Sequence, residues 1–354
     1  MKIQYSRSSI PTPSGYQAGP GITAARPAKT ALGQFSRLTL AWLAALFIAV
    51  VFPDGGSAAV TELPEFRVGF ASDMFADVNE NDAKAAVKVW GLTVAREHGV
   101  PTDPEPQIFS DDSVLFQSFR NQLVDAAVMT TPEFYALGKE VRLDPIFVMH
   151  EAGKVTVQYI LLVHRDSKIE SLADLRGRTL AFHRNPRLSL AQVWLDTLLA
   201  QEGFPPCSAF AGNIRQVNKL SNVILPVFFH AADACVVTRA GFEMMVELNP
   251  QVGRQLKVIA TSMELVPFVL AFRADYQSPF KDQLLTAFRD LHKTPAGLQI
   301  LNIFHGDKLE DLRATGMNSA LELLGRHAQL VAGAEATRPL PPSRAAQTSG
   351  GTSP

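Results

Sequence analysis

The stretch His183-Arg184-Asn185-Pro186-Arg187-Leu188-Ser189 concentrates two guanidinium groups, an imidazole, an amide and a hydroxyl at the start of an expected helix. An arginine fork presents donors in a plane that matches an oxyanion. A helix start adds N–H groups without intrahelical acceptors and the positive end of the helix dipole. The chemistry this favours is holding an anion. Four further polar stretches follow apolar runs in the same way: Ser72-Asp73-Met74-Phe75, Ser110-Asp111, Thr130-Thr131 with Tyr135 beyond it, and Thr238-Arg239. In parallel α/β sheets such loops, beyond the carboxyl ends of strands, are where ligands lie. The candidate ligand contacts are therefore Asp73, Met74, Ser110, Asp111, Thr130, Thr131, Tyr135, Tyr159, His183, Arg184, Asn185, Arg187, Ser189, Thr238 and Arg239. Each has a plainer role beside it. Asp73, Ser110 and Asp111 are ordinary caps, and Arg184 and Arg187 are candidates for ion pairs. Tyr159 suits packing with a polar tip, His183 suits a hydrogen-bonded wall, and Arg239 lies one turn from Glu243.

Bond-breaking chemistry has no comparable signature. No Gly-x-Ser-x-Gly elbow, phosphate-binding loop or His-Glu-x-x-His occurs in the sequence. Asp111-Asp112 are adjacent at a helix start, so their side chains point apart. His150 with Glu151, and His164 with Asp166, have no nucleophile beside them in sequence. No metal, cofactor or catalytic residue is expected, and the chain reads as a non-enzyme. Cys207 and Cys235 lack the spacing of a zinc or redox site; a disulfide and two buried thiols both remain open.

The elements that must position these loops alternate. Phe66–Phe70, Gln107–Phe109 and Asp125–Met129 read as strands. The first intervening helix turns Ala85, Ala86, Val89, Trp90 and Val94 inward, and the second Val114, Leu115, Phe119 and Leu123. This β-α-β-α-β run builds a parallel sheet with right-handed crossovers. The pattern repeats with strands at Tyr159–Val163, Thr179–Phe182, Ser208–Ala211 and Asp233–Val237. A helix over Leu188–Glu202 and another over Val217–His230, interrupted by Pro226, lie between them. Strands at Val258–Ala260 and Phe268–Phe272 and helices over Lys281–His292 and Ala296–Phe304 close the fold. The expectation is two α/β lobes: 60–158 the first, 159–260 the second, 261–336 a return to the first with C-terminal helices, and 337–354 a disordered tail.

The 354 residues carry 33 basic and 34 acidic side chains, a formal charge of -1, so no basic surplus invites nucleic acid. Leu38–Phe52 is an apolar run behind Arg37, ended by Pro53-Asp54-Gly55-Gly56 and followed by Ser57-Ala58-Ala59. That is the grammar of an export signal with a small-residue cleavage site, and 1–59 is read as signal and leader. An uncleaved anchor is the alternative.

The segment Asp166 to Phe182, DSKIESLADLRGRTLAF, is similar to the D-S-x-I-x-S-L-x-D-L-x-G-x-x-x-A-F stretch of type II periplasmic binding proteins. It most resembles the PhnD-like phosphate/phosphite/phosphonate-binding family. Arg67–Phe70, Asp125–Val128 with Pro132 and Tyr135, Tyr159, Asp233–Val237 and Thr294–Gly297 match in order, so the resemblance spans about Phe66 to Leu330. It implies a type II periplasmic-binding-protein fold, two α/β lobes around a ligand cleft, and a monomer delivering a small anionic ligand to an ABC permease. A sensory receptor serving a membrane kinase or cyclase, and a scaffold whose cleft is filled by its own side chains or a periplasmic enzyme on the same fold, are the alternatives. The sequence departs from the family where oxyanion-binding members carry Ser-Thr-Ser-Gly: of those hydroxyls only Ser189 remains. A carboxylate is then as plausible a ligand as a phosphonate.

Overall fold

The computed structural model describes residues 65–336 apart from Asp77, Pro104 and Arg313. The expected export segment and the expected disordered tail lie outside the described residues. In chain order, β1 (Val68–Ala71) passes through a 3-10 turn (Ser72–Phe75) to α1 (Glu80–His98), β2 (Gln107–Phe109), α2 (Asp112–Arg120), β3 (Ala126–Thr130), α3 (Thr131–Leu137) and β4 (Leu143–His150). Then come β5 (Val157–His164), β6 (Thr179–His183), a 3-10 turn (Pro186–Leu188), α4 (Ala191–Gln201), α5 (Cys207–Phe210), β7 (Asn213–Val217) and α6 (Leu220–Phe228). β8 (Ala234–Thr238), α7 (Arg239–Leu248), α8 (Pro250–Gln255) and β9 (Leu256–Leu265) follow. The last elements are β10 (Phe268–Arg273), α9 (Lys281–Arg289), α10 (Pro295–Ile303), β11 (Lys308–Asp311) and α11 (Asn318–Ala336).

The strands form two sheets, one of order β11-β4-β10-β3-β1-β2 and one of order β7-β6-β8-β5-β9. Within the first, β1 runs parallel to β2 and β3 while β10 is antiparallel to β3 and β4. The second repeats the plan: β6 is parallel to β7 and β8, and β5 is antiparallel to β8 and β9. The sheets are the centres of two lobes. The chain crosses between them from β4 to β5 and again from β9 to β10, where Val266-Pro267 is the whole connection.

Caps set the helix starts. Asn79 accepts from the N–H groups of Asn81 and Asp82, and Gly99 at φ 66° ends α1 in the left-handed conformation. The buried face of α1 is Ala83, Ala86, Val87, Trp90 and Val94; the expected Ala85 and Val89 face solvent. Likewise α2 buries Leu115 and Phe119 and exposes Val114. Residues 208–211, expected as a strand, lie in and just after α5, and the strand comes later, as β7. The reason is local. Asp196 Oδ1 accepts the Cys207 N–H at 2.6 Å, fixing a helical turn directly after Pro206. Cys207 and Cys235 are both free, buried thiols, and burial pushes each above the usual thiol range. β10, α9, α10 and β11 return to the first lobe, whereas α11 seats Ala320, Leu323 and Leu324 in the core of the second. Among the described residues no helix is long and apolar enough to cross a membrane.

Candidate functional site

Both lobes wall a cleft of about 460 Å³. Its first wall is the crossing from β4 to β5 and the start of β5, which contribute Glu151, Lys154 and Gln158, with Glu264, Pro267 and Phe268 at and beside the return crossing. The second is the carboxyl end of the β6–β8 region, which contributes His183, Asn185, Arg187, Thr238, Arg239 and Glu243. His305, just past α10, closes it from the first lobe. Lys154, Arg187 and Arg239 thus face Glu151, Glu243 and Glu264, three cations against three carboxylates.

The two arginines are used differently. Arg187 Nε lies 2.6 Å from Glu151 Oε2, and its Nη2 donates to the carbonyls of Phe304 at 3.3 Å and His305 at 3.1 Å. Its guanidinium also stands over the Phe268 ring, 5.6 Å from the centroid. This arginine ties the second lobe to the first. Arg239 Nε donates to Gln158 Oε1, and its Nη2 reaches Thr261 Oγ1 at 3.4 Å. Among the described residues Arg239 makes no salt bridge, so its guanidinium stands on the cleft wall with neutral hydrogen-bond partners, while Glu243 and Glu264 line the same space. It is also the first residue of α7. Thr238 Oγ1 accepts the Gly241 N–H at 3.1 Å, and Thr238, Arg239, Ala240 and Gly241 all line the cleft. The first turn of this ten-residue helix therefore presents its N–H groups and the positive end of its dipole to the same space as the guanidinium.

A family model describing an ABC transporter, phosphonate, periplasmic substrate-binding protein matches residues 74–315. The chain belongs to that family. As a phosphonate-type periplasmic substrate-binding protein it is a transporter component, and the family works outside the cytoplasm with permease partners. No curated protein matches the sequence. Among solved structures, XAC2383 from Xanthomonas citri, bound to chloride ion, is 19% identical over 76% of this chain and 99% of that one, with a TM-score of 0.58. A binding protein component of an ABC phosphonate transporter from Pseudomonas aeruginosa is 17% identical over 78% and 91%, at 0.55. PhnD1 from Prochlorococcus marinus, in complex with methylphosphonate, is 15% identical over 75% and 98%, at 0.52. These likenesses give the fold, that of a type II periplasmic binding protein.

Of the residues singled out in this binding protein's sequence, His183, Asn185, Arg187, Thr238 and Arg239 meet at the cleft. His183 Nε2 lies 3.0 Å from the Asn218 carbonyl oxygen, and Asn185 Oδ1 accepts the Arg187 N–H at 2.8 Å. Met74 is buried at the neck between the cleft and the first lobe's interior. The others are placed elsewhere. Asp73 and Arg184 face each other at 4.0 Å, both largely exposed. Ser110 is exposed, and Asp111 caps α2, where hydrogen bonds from Ser113 hold its carboxyl below the usual range. Thr130 closes a capping box with Glu133, while Thr131 Oγ1 donates to the Val266 carbonyl at 2.7 Å. Tyr135 packs beneath Lys139 and near α11. Tyr159 is fully buried, its hydroxyl donating to the Arg187 carbonyl at 2.8 Å, and burial raises its pKa. Ser189 Oγ donates to the Pro267 carbonyl at 2.6 Å. These hydroxyls serve caps and crossings. Sequence reasoning did not select Glu151, Lys154, Gln158, Glu264 or His305 as ligand contacts. The first four share a positional signal, each within a few residues of a strand end at a lobe crossing, whereas His305 lies in the loop between α10 and β11.

Proposed function

We propose that this protein captures a small anion, phosphonate- or phosphate-like or a carboxylate, in the cleft and delivers it to an ABC permease by lobe closure. The observation that carries the reading is Arg239: a cation with neutral partners, at the start of α7, on the wall of a 460 Å³ interlobe cleft. Guanidinium and helix start bind the same charge type. The crossing from β9 to β10 is a natural pivot, because Pro267 has its carbonyl bonded by Thr131 N–H at 2.9 Å from one lobe and by Ser189 Oγ from the other. Closure around ligand then creates the surface a permease reads. The apolar run at 38–52 and the small residues at 57–59 support export by a signal peptide. The protein binds and does not catalyse.

Methylphosphonate, the ligand of the Prochlorococcus marinus neighbour, is the first probe, with phosphate and acetate beside it. Calorimetry should show binding of at least one anion. Arg239→Ala should weaken it by about tenfold or more, the scale of a lost charge-assisted hydrogen bond, with an unchanged thermal unfolding midpoint because the side chain is half-exposed. Equal affinity in wild type and variant removes Arg239 from the site, and with it this reading.

A further inference from the structure

Inside the first lobe, between its sheet and helices α1, α9 and α10, lies a cavity of about 80 Å³. Val68, Val87, Trp90, Phe288, Ile300 and Leu301 are among its walls, and the lining is almost wholly apolar, its one polar side-chain group being the Trp90 indole N–H. Protein interiors pack to near-crystalline density, and a void deprives its lining of dispersion partners. Water does not compensate here, since the lining side chains do not supply the several polar partners a buried water needs.

The cavity adjoins the cleft. Met149 and Phe268 wall both spaces. A neck of about 10 Å³ lies between them, lined by Met74, Met149, Phe268 and Phe304 with Asn185, Pro186 and Arg187. The surroundings therefore change from the charged cleft, past Arg187 against Phe268, through two methionines, to an almost wholly apolar interior. Methionine is unbranched and adapts to what presses on it, so Met74 and Met149 are the yielding part of the partition. The neighbouring rings are held by ring packing: Phe304 stacks on Phe70 and meets Phe75 edge-on, with centroids 6.2 and 5.9 Å apart.

We propose that the ligand is amphiphilic: an anionic head in the cleft and an unbranched apolar substituent that enters the first lobe's cavity past Met74 and Met149. A cavity of about 150 Å³ accepts benzene, so this one suits a chain of about two to four carbons. The proposal rests on the cleft being an anion site, and its test separates the two.

The experiment is calorimetric titration of the full chain with methyl-, ethyl-, propyl-, butyl- and octylphosphonate. Affinity should rise by about fourfold per methylene up to propyl or butyl, then level or fall. In Val68→Ile/Val87→Ile, which adds two methyl groups to the cavity wall, methylphosphonate affinity should be unchanged and the rise should stop one or two carbons earlier. Methylphosphonate binding with a flat or falling series in wild type overturns the cavity proposal and leaves the anion site standing. A rise that persists unchanged in the filled variant also overturns it, because the chain then lies elsewhere. Binding by no member of the series removes both. Should the double variant fail to fold, the wild-type series alone decides.

Discussion

Asp125→Ala should cost this protein about 3–5 kcal/mol of stability, a fall of roughly 10 °C in unfolding midpoint for a chain of this size. Asp125 is 2% exposed and stands just before β3. Its Oδ2 accepts the Arg67 N–H at 2.9 Å and the Arg67 Nε at 3.1 Å, while its Oδ1 takes Arg67 Nη2 at 2.9 Å and Arg273 Nη2 at 3.3 Å. One carboxylate thus joins the start of β1 to the end of β10 across β3. Arg273 is itself 7% exposed, and its Nε and Nη1 are buried without hydrogen bonds. Asp275 Oδ1 approaches that Nε to 2.8 Å without hydrogen-bond geometry. Removing Asp125 leaves a buried guanidinium with only the largely exposed Asp275 carboxylate to offset its desolvation, and that asymmetry sets the magnitude. The second lobe supplies the control. Asp233 stands before β8 as Asp125 stands before β3, and its Oδ2 accepts the Thr179 N–H at the start of β6 at 2.8 Å. Its arginine, Arg178, is 3.6 Å away and half exposed. Asp233→Ala should therefore cost only about 1 kcal/mol. Chemical denaturation of both variants checks the pair, and equal losses would show that burial is not the deciding variable.

That paired aspartate was visible in the sequence as Asp125-Ala126-Ala127-Val128 echoed by Asp233-Ala234-Cys235-Val236, and the two-lobe architecture followed from it. Continuous apolar runs mark strands covered on both faces, which is why β3, β5, β8 and β10 were legible. β7 was not, because Asn213-Ile214-Arg215-Gln216-Val217 is an edge strand with no buried residue. Part of the first helix face slipped by two residues where small side chains left the period ambiguous: Ala83 and Val87 face inward, where Ala85 and Val89 fitted the pattern as well. Of the candidate site, the loops after β6 and β8 were legible because helix starts and arginines are local features. Glu151, Lys154 and Glu264 were not, because they meet the cleft only through the pairing of β5 with β9, which brings two distant crossings together. The hydroxyls misled for a physical reason. Thr130, Thr131, Tyr159 and Ser189 lie near the expected loops, yet buried backbone carbonyls and the helix cap claim them first. Thr130-x-x-Glu133 is itself a capping-box signature that a reading for ligand contacts passes over.

Glu133, the other half of that box, makes the stability of the first lobe depend on pH. It is 8% exposed, and burial pushes its carboxyl up from 4.5 to about 7. The Thr130 N–H and hydroxyl, at 2.6 and 2.7 Å from Oε2, pull the other way, and Asp112 in the first turn of α2 adds to the rise. Burial wins. Between pH 4.5 and about 7 the folded state consequently holds a proton that the unfolded chain releases. The contribution is present in full below about pH 4.5 and is lost as pH climbs through about 7. Glu133→Gln keeps an oxygen to accept from Thr130 and abolishes the titration. The difference in unfolding free energy, wild type minus variant, should therefore fall by about 2–3 kcal/mol from pH 4.5 to 8. Urea denaturation of both proteins at four pH values in that range measures it, and parallel profiles would place the titration elsewhere. The position gives the effect its reach. Thr131, the first residue of α3, holds the carbonyls of Val266 and Pro267 at 2.7 and 2.9 Å, so charge appearing on Glu133 loosens the helix start that anchors the shorter of the two crossings. Ligand affinity should decline over the same pH interval in wild type and stay flatter in Glu133→Gln, which separates a strained pivot from titration of the ligand itself.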